Sequence, residues 1–241
     1  MASIFLPNKY NYLVWGNAVL LLVLLLLEKT DPSSIVFAYF LETIIIGVFH
    51  CIKLGMVNSL GKRSNPNVKM PSSTLGIILF FLVHYGMFVG IQSIFLFSFF
   101  QKTIPQLEDG FHLLHNYGVI LGQEGIPILL ASLFVSNLKY FYSNFLQKEQ
   151  YKEYSVSSLF FKPYVRIFIQ QFTVILAGFF FMIFSEGFAA AILLIVFRLL
   201  VDLIIIGIHR DSNNLDKLLR KITKNEADFL EAKKKLQEIS E

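Results

Sequence analysis

Apolar residues run through this chain in long stretches, not at the two-residue or 3.6-residue spacing of a half-buried strand or helix. Stretches of about 17–25 residues match the ~30 Å hydrocarbon core of a bilayer. Six fit: Asn11–Leu27, Ser34–Leu54, Thr74–Phe100, Ile126–Leu146, Tyr164–Phe184 and Gly187–Ile208. Pro32, Pro71, Pro105, Pro127 and Pro163 fall at or just outside the ends of these stretches, where a missing N–H costs a helix least. Glu28-Lys29-Thr30-Asp31-Pro32 follows the first stretch with no small-residue cleavage pattern, so that stretch reads as a retained anchor and not a signal peptide.

After Asp211 the period changes. Leu215, Ile222, Phe229 and Leu236 recur every seven residues, with Leu218, Asn225, Ala232 and Ile239 in the companion positions. About three heptads is the lower limit for a coiled coil. The tail is therefore expected to be a soluble helix that rests on the membrane or joins copies of the chain into a homo-oligomer. The glycine-rich Asp109–Gly125 is expected to be interfacial or re-entrant. The pattern as a whole predicts an all-α integral membrane bundle of six transmembrane helices over residues 1–209, followed by a cytoplasmic amphipathic helix over residues 210–241.

Composition agrees. Of 241 residues, 55% are hydrophobic and 16% charged, with a mean hydropathy of +0.60; a soluble domain carries roughly 25% charged residues. A single cysteine, Cys51, excludes an intrachain disulfide and a cysteine-based zinc cage. Charge sets the orientation. With the N-terminus inside, the inner side receives Lys9, Lys53, Lys62, Arg63, Lys69, Lys148, Lys152, Lys162, Arg166 and the tail from Arg210, whereas the outer side holds only Lys29 and Lys102. The positive-inside rule then predicts that both termini are cytoplasmic. The basic loops follow from topology or contact with anionic lipid, so the bilayer is the expected partner and nucleic acid is not.

Ionisable side chains inside a span are the informative ones, because each costs roughly 2.5–3.5 kcal/mol at the bilayer centre. At ~1.5 Å per residue, Glu42, His84 and Arg198 are expected near the midplane, with Lys139 and Asp202 about one turn nearer the cytoplasm. At ~100° per residue, Arg198, Asp202 and His209 share one face of the sixth span. Ser132, Ser136, Lys139 and Ser143 form a stripe on the fourth span, and Arg166, Gln170, Thr173 and Ala177 one on the fifth. These faces are expected to turn inward around one polar core. Two readings remain open for them. Arg198 and Asp202, spaced i, i+4, could neutralise each other while Glu42 pairs with Lys139 or His84; or the group could form a hydrated site for an ion, proton or small polar ligand. Outside the membrane, Asp109, His112 and His115 in EDGFHLLH are weak metal-ligand candidates, a spacing that an amphipathic surface helix shares. The chain has no phosphate-binding glycine loop, no GxSxG and no HExxH, so the sequence names no cofactor.

The segments AYFLETIIIGVFHCIKL, FFLVHYGMF, KPYVR and RLLVDLIIIGIH resemble the DUF6498 family of bacterial and archaeal multi-pass membrane proteins, whose function is uncharacterised. Residue by residue the resemblance covers Glu42; His84, Tyr85 and Gly86; Pro163, Tyr164 and Arg166; and Arg198, Asp202 and His209. It implies a prokaryotic plasma (inner) membrane protein. Where relatives tend to carry further histidines this chain has Gln92, Asn137 and Gln171, so the resemblance implies no multi-histidine metal centre here. Three functions are consistent with these residues. The first is transport or permeation of a small ion, proton or polar solute through the polar core, with Glu42 and His84 titrating. The second is a membrane-embedded enzyme acting on a lipid or lipid-linked substrate, with His84 and Glu42 as acid and base and Tyr164 and Arg166 at the headgroup. The third is a non-catalytic assembly or signalling protein that acts through its tail.

Overall fold

The computed structural model describes residues 6–8, 11–62, 73–183, 187–210, 225–226 and 228–230. The described part is all-α, as the hydropathy pattern predicts. In chain order the helices are α1 (Tyr12–Leu26), α2 (Pro32–Leu60), α3 (Thr74–Phe100), α4 (Leu113–Leu121), α5 (Ile126–Tyr140), α6 (Val156–Phe160), α7 (Lys162–Ile183) and α8 (Gly187–Arg210). A π-helical turn, Phe141–Leu146, prolongs α5, and a 3-10 turn, Gln150–Lys152, precedes α6. The heptads of the tail lie outside the described residues apart from the short piece around Phe229.

Two compact units divide the chain: Leu21–Leu194, and Met1–Leu20 with Ile195–Glu241. In the larger unit α2 is the hub, packing on α3, α5, α6 and α7, while α4 packs on α3 and α5. The sequence explains this choice. Pro32 opens α2 at a position where its missing N–H is no loss. The helix then buries Ile35, Val36, Phe37, Ala38, Tyr39, Phe40 and Leu41 without interruption, as a helix enclosed on all sides must. Aromatic rings fill the gaps between helices. Phe37 meets Phe97 and Phe100 of α3 at centroid distances of 6.0 and 5.3 Å, and Phe49 meets Phe134 and Phe141 at 5.5 and 5.4 Å. Such pairs contribute about 0.5–1.5 kcal/mol each beyond the area they bury.

The turn into α5 depends on one glycine. Gly125 adopts φ +86°, and a Cβ there would meet the Lys29 carbonyl and the Thr30 hydroxyl at 2.7 Å. Asp109–Gly125 forms a folded loop and the nine-residue α4, held down by Asn116, whose side chain bonds the backbone of Glu108 and Asp109 at 2.9 Å each.

The outward surface is apolar. Leu75, Leu79, Val83, Met87, Ile91 and Phe95 line the exposed side of α3 at four-residue intervals, and Phe168, Phe172, Phe179 and Ile183 that of α7. A continuous apolar face of this size suits hydrocarbon and is unusual against water. Among the described residues three helices are long and apolar enough to cross a bilayer: Pro32–Leu60, Thr74–Phe100 and Ile126–Leu146. That is three where hydropathy predicts six. α1 is apolar but only 15 residues long, short of the ~20 a span needs. The fifth and sixth predicted spans correspond to α7 and α8, which are described in part.

Candidate functional site

Glu42 is enclosed in the larger unit, 3% exposed on α2. Its Oε1 accepts a 3.0 Å hydrogen bond from Nδ2 of Asn137 on α5. The same amide nitrogen donates to the Leu133 carbonyl one turn back, at 2.9 Å, which fixes the Asn137 rotamer and aims it at the carboxyl group. Sequence reasoning offered Lys139 or His84 as the partner of Glu42 and treated Asn137 as a substituted histidine. Asn137 makes the described contact, from the face of α5 that meets α2. Lys139 itself is exposed on α5.

One turn along α2 the two long helices nearly touch. A Cβ on Gly47 would stand 2.7 Å from Cε1 of Tyr85, so only glycine admits the tyrosine ring of α3 at this point. The Tyr85 hydroxyl then reaches past Gly47 to donate to the Thr43 carbonyl at 2.8 Å. Thr43, Gly47 and His50, at i, i+4 and i+7, make one inward stripe on α2. His50 completes it, 5% exposed, with its ring centroid 4.9 Å from that of Phe81. It has a hydrogen bond with the Leu159 backbone, while its Nε2 is buried without a hydrogen-bond partner. The sequence reading missed His50, which lies near the end of an apolar stretch where a polar residue draws little notice. The stripe it shares with Thr43 and Gly47 is the signal that would have found it.

His84 follows Phe81 by about one turn on α3. Its Nδ1 is 2.5 Å from the Tyr164 hydroxyl, and since His84 is half-buried, this pair lies at the edge of the aromatic packing. Tyr164 is held in the first turn of α7 by Pro163 and is 7% exposed. Around the pair stand Phe80, Phe88 and Phe160, with centroids 5.9, 5.5 and 6.2 Å from the His84 ring. His50 and His84 are each ten residues from the adjoining ends of α2 and α3 (Leu60 and Thr74), or about 15 Å at 1.5 Å per residue. Glu42 is eight residues beyond His50 along α2, roughly 12 Å further. Tyr85, next to His84 on α3, links that histidine to Thr43, next to Glu42 on α2.

In the smaller unit Arg198 and Asp202 pair as their spacing predicts, Nε to Oδ2 at 2.9 Å. The guanidinium side chain is 5% exposed and the carboxylate 25%. The side chains of Arg166, Gln170 and His209 lie outside the described residues. In the loop before α4, His112 bridges Asp109 at 2.6 Å and Glu108 at 3.5 Å. His115 turns to the Gln106 carbonyl at 3.2 Å. Among the described residues no three potential ligands converge as a metal site would require.

Chemically, the larger unit holds a carboxyl group with an aimed amide donor and, among aromatic rings, a phenol–imidazole pair and a second imidazole. Such groups can accept, hold and pass a proton.

A family model described as a family of unknown function (DUF6498) matches residues 1–226, and the chain belongs to that family. No curated protein and no solved structure matches the chain.

Proposed function

We propose that this member of the DUF6498 family is a multi-pass membrane protein that moves a proton, or a small polar solute with its proton, by way of Glu42 and the His84–Tyr164 pair. In this reading α7, α8 and, over Asn11–Leu27, α1 with its flanking residues complete six spans, the last at about the 17-residue lower limit for crossing; both termini face the cytoplasm, and the chain resides in the plasma membrane of a prokaryote. The observation that carries it is Glu42 itself. A carboxyl group buried in the first half of a helix long and apolar enough to span is costly when charged. The Asn137 amide suits either protonation state of that group, since it can donate to a carboxylate or to the carbonyl oxygen of the neutral acid. A group built only to tie helices together needs no such tolerance.

The test is spectroscopic. Difference infrared spectra of the full chain in lipid, recorded across a pH step, are expected to contain a carboxyl band that vanishes in Glu42→Gln. A spectrum identical in the two proteins would refute a titrating Glu42.

A second reading, an enzyme acting on lipid, draws support from the half-buried position of His84 beside exposed Phe80 and Phe161. A lipid could approach the imidazole there from the side. Covalent change in extracted membrane lipids incubated with the wild-type protein, absent with His84→Gln, would favour it.

A further inference from the structure

The end of the larger unit where α2 stops and α7 begins carries lysines of two kinds. Lys62, Lys148 and Lys152 are exposed, whereas Lys53 and Lys162 are half-buried and held against rings. The Lys162 ammonium lies 3.9 Å from the Tyr154 centroid. That of Lys53 lies 5.6 Å from Tyr140 and 5.3 Å from Phe145. His50, one turn before Lys53, and Phe160, two residues before Lys162, both pack on Phe81, with ring centroids at 4.9 and 5.7 Å, which places the two lysines on the same side of the unit.

The segment between α5 and α7 is folded to keep them there. Lys62 N–H donates to the Tyr154 carbonyl at 2.9 Å, and Lys62 bridges to Ser155, docking this segment onto the end of α2. Ser155 then starts α6 with a reciprocal cap, its side chain accepting from Ser158 N–H while the Ser158 hydroxyl accepts from the Ser155 N–H. Glu149 and Glu153 are the acidic residues of the segment, and Glu149 is engaged by Lys152 at 2.8 Å. Tyr140, Tyr142 and Phe161 stand exposed at the same end. Aromatic side chains beside lysines mark the headgroup level of a membrane-embedded protein, and a lysine stem laid along a ring sends its ammonium toward that level.

We propose that Lys53 and Lys162 form a binding site for the phosphate of an anionic glycerophospholipid, with Tyr140 and Tyr154 as its walls. The two lysines supply paired positive charge that the rings hold in place, so little side-chain entropy is lost when a phosphate arrives. Lys62, Lys148 and Lys152 add to the surrounding field without contacting the lipid. The proposal requires membrane insertion but is independent of proton transfer at Glu42.

The test is binding of phosphatidylglycerol and phosphatidylcholine to the purified full-length protein in mixed micelles, read by native mass spectrometry. Phosphatidylglycerol is expected to bind at least tenfold more tightly. Each of Lys53→Gln and Lys162→Gln should weaken it about fivefold, with Lys148→Gln and Lys152→Gln changing it less than twofold each. Lys53→Arg with Lys162→Arg, which preserves charge, should retain the preference and controls for folding. Equal binding of the two lipids would overturn the proposal. So would equal losses from the half-buried and the exposed lysines, which would mean a diffuse field. Competition by millimolar inorganic phosphate would also overturn it, assigning the site to a free anion.

Discussion

The Tyr164 hydroxyl lies 2.5 Å from Nδ1 of His84, joining α3 to α7 across 80 residues of chain. Whichever atom carries the proton, the tyrosine fixes the ring's orientation and leaves Nε2 to face other groups. Tyr164→Phe keeps the ring packing against Phe81 and Phe88 but removes the bond. Its loss should lower stability by about 0.5–1.5 kcal/mol, the usual net worth of such a bond. A thermal melt of the full chain in detergent measures this, and His84→Phe combined with Tyr164→Phe should cost less than the sum of the two single changes.

Close approach of α2 and α3 sets the second expectation. Gly47→Ala forces the Tyr85 ring aside and should destabilise by about 1–3 kcal/mol, the range for overpacked cores. Gly86 and Gly90 on α3 have open space where a Cβ would go. Alanine at either should leave stability unchanged or raise it by about 0.5–1 kcal/mol through helix propensity. Comparing the three melting temperatures separates packing from propensity.

Arg198 and Asp202 supply a third. With the guanidinium buried and its partner 2.9 Å away, Asp202→Asn leaves a buried cation short of its counter-charge, and breaking such pairs costs about 3–5 kcal/mol. Arg198→Met with Asp202→Met should recover most of that loss. An unchanged melting temperature in Asp202→Asn would mean that water solvates the arginine, so that the pair belongs to a hydrated site.

A pH dependence follows outside the spans. Burial raises the Tyr117 phenol above its ordinary value of 10, and a hydrogen bond with Ser93 opposes this only in part. Ser93 Oγ lies 2.6 Å from the Tyr117 hydroxyl, and either atom can donate. A group with a raised folded-state value stabilises fully below its unfolded value and loses that contribution as pH rises through the folded one. Melting temperature should therefore fall above about pH 10, with a shallower slope in Tyr117→Phe.

Much of this was legible in the sequence. Long apolar stretches predict helices, and i, i+4 spacing predicts the Arg198–Asp202 pair because both residues lie on one helix. Glu42, His84, Tyr85 and Tyr164 stand out as polar or tyrosyl residues in or beside apolar stretches. Their partners were not legible. Asn137 and Thr43 meet Glu42 and Tyr85 through the packing of different helices, and sequence spacing carries no register between helices. Tyr164, a headgroup candidate in the lipid-enzyme reading, is the hydrogen-bond partner of His84, a contact hidden from the sequence for the same reason. His50 escaped because apolar residues surround it, although its stripe with Thr43 and Gly47 was present to be read.

Proton flux into vesicles tests the central claim most directly. The full chain, reconstituted in liposomes holding a pH-sensitive dye, is driven by a potassium diffusion potential. Wild-type protein is expected to acidify the lumen faster than protein-free vesicles. Glu42→Gln should abolish the excess while leaving the melting temperature unchanged, since a glutamine carbonyl still accepts from Asn137. Flux in wild type no greater than in empty vesicles, or equal flux in Glu42→Gln, would contradict the account.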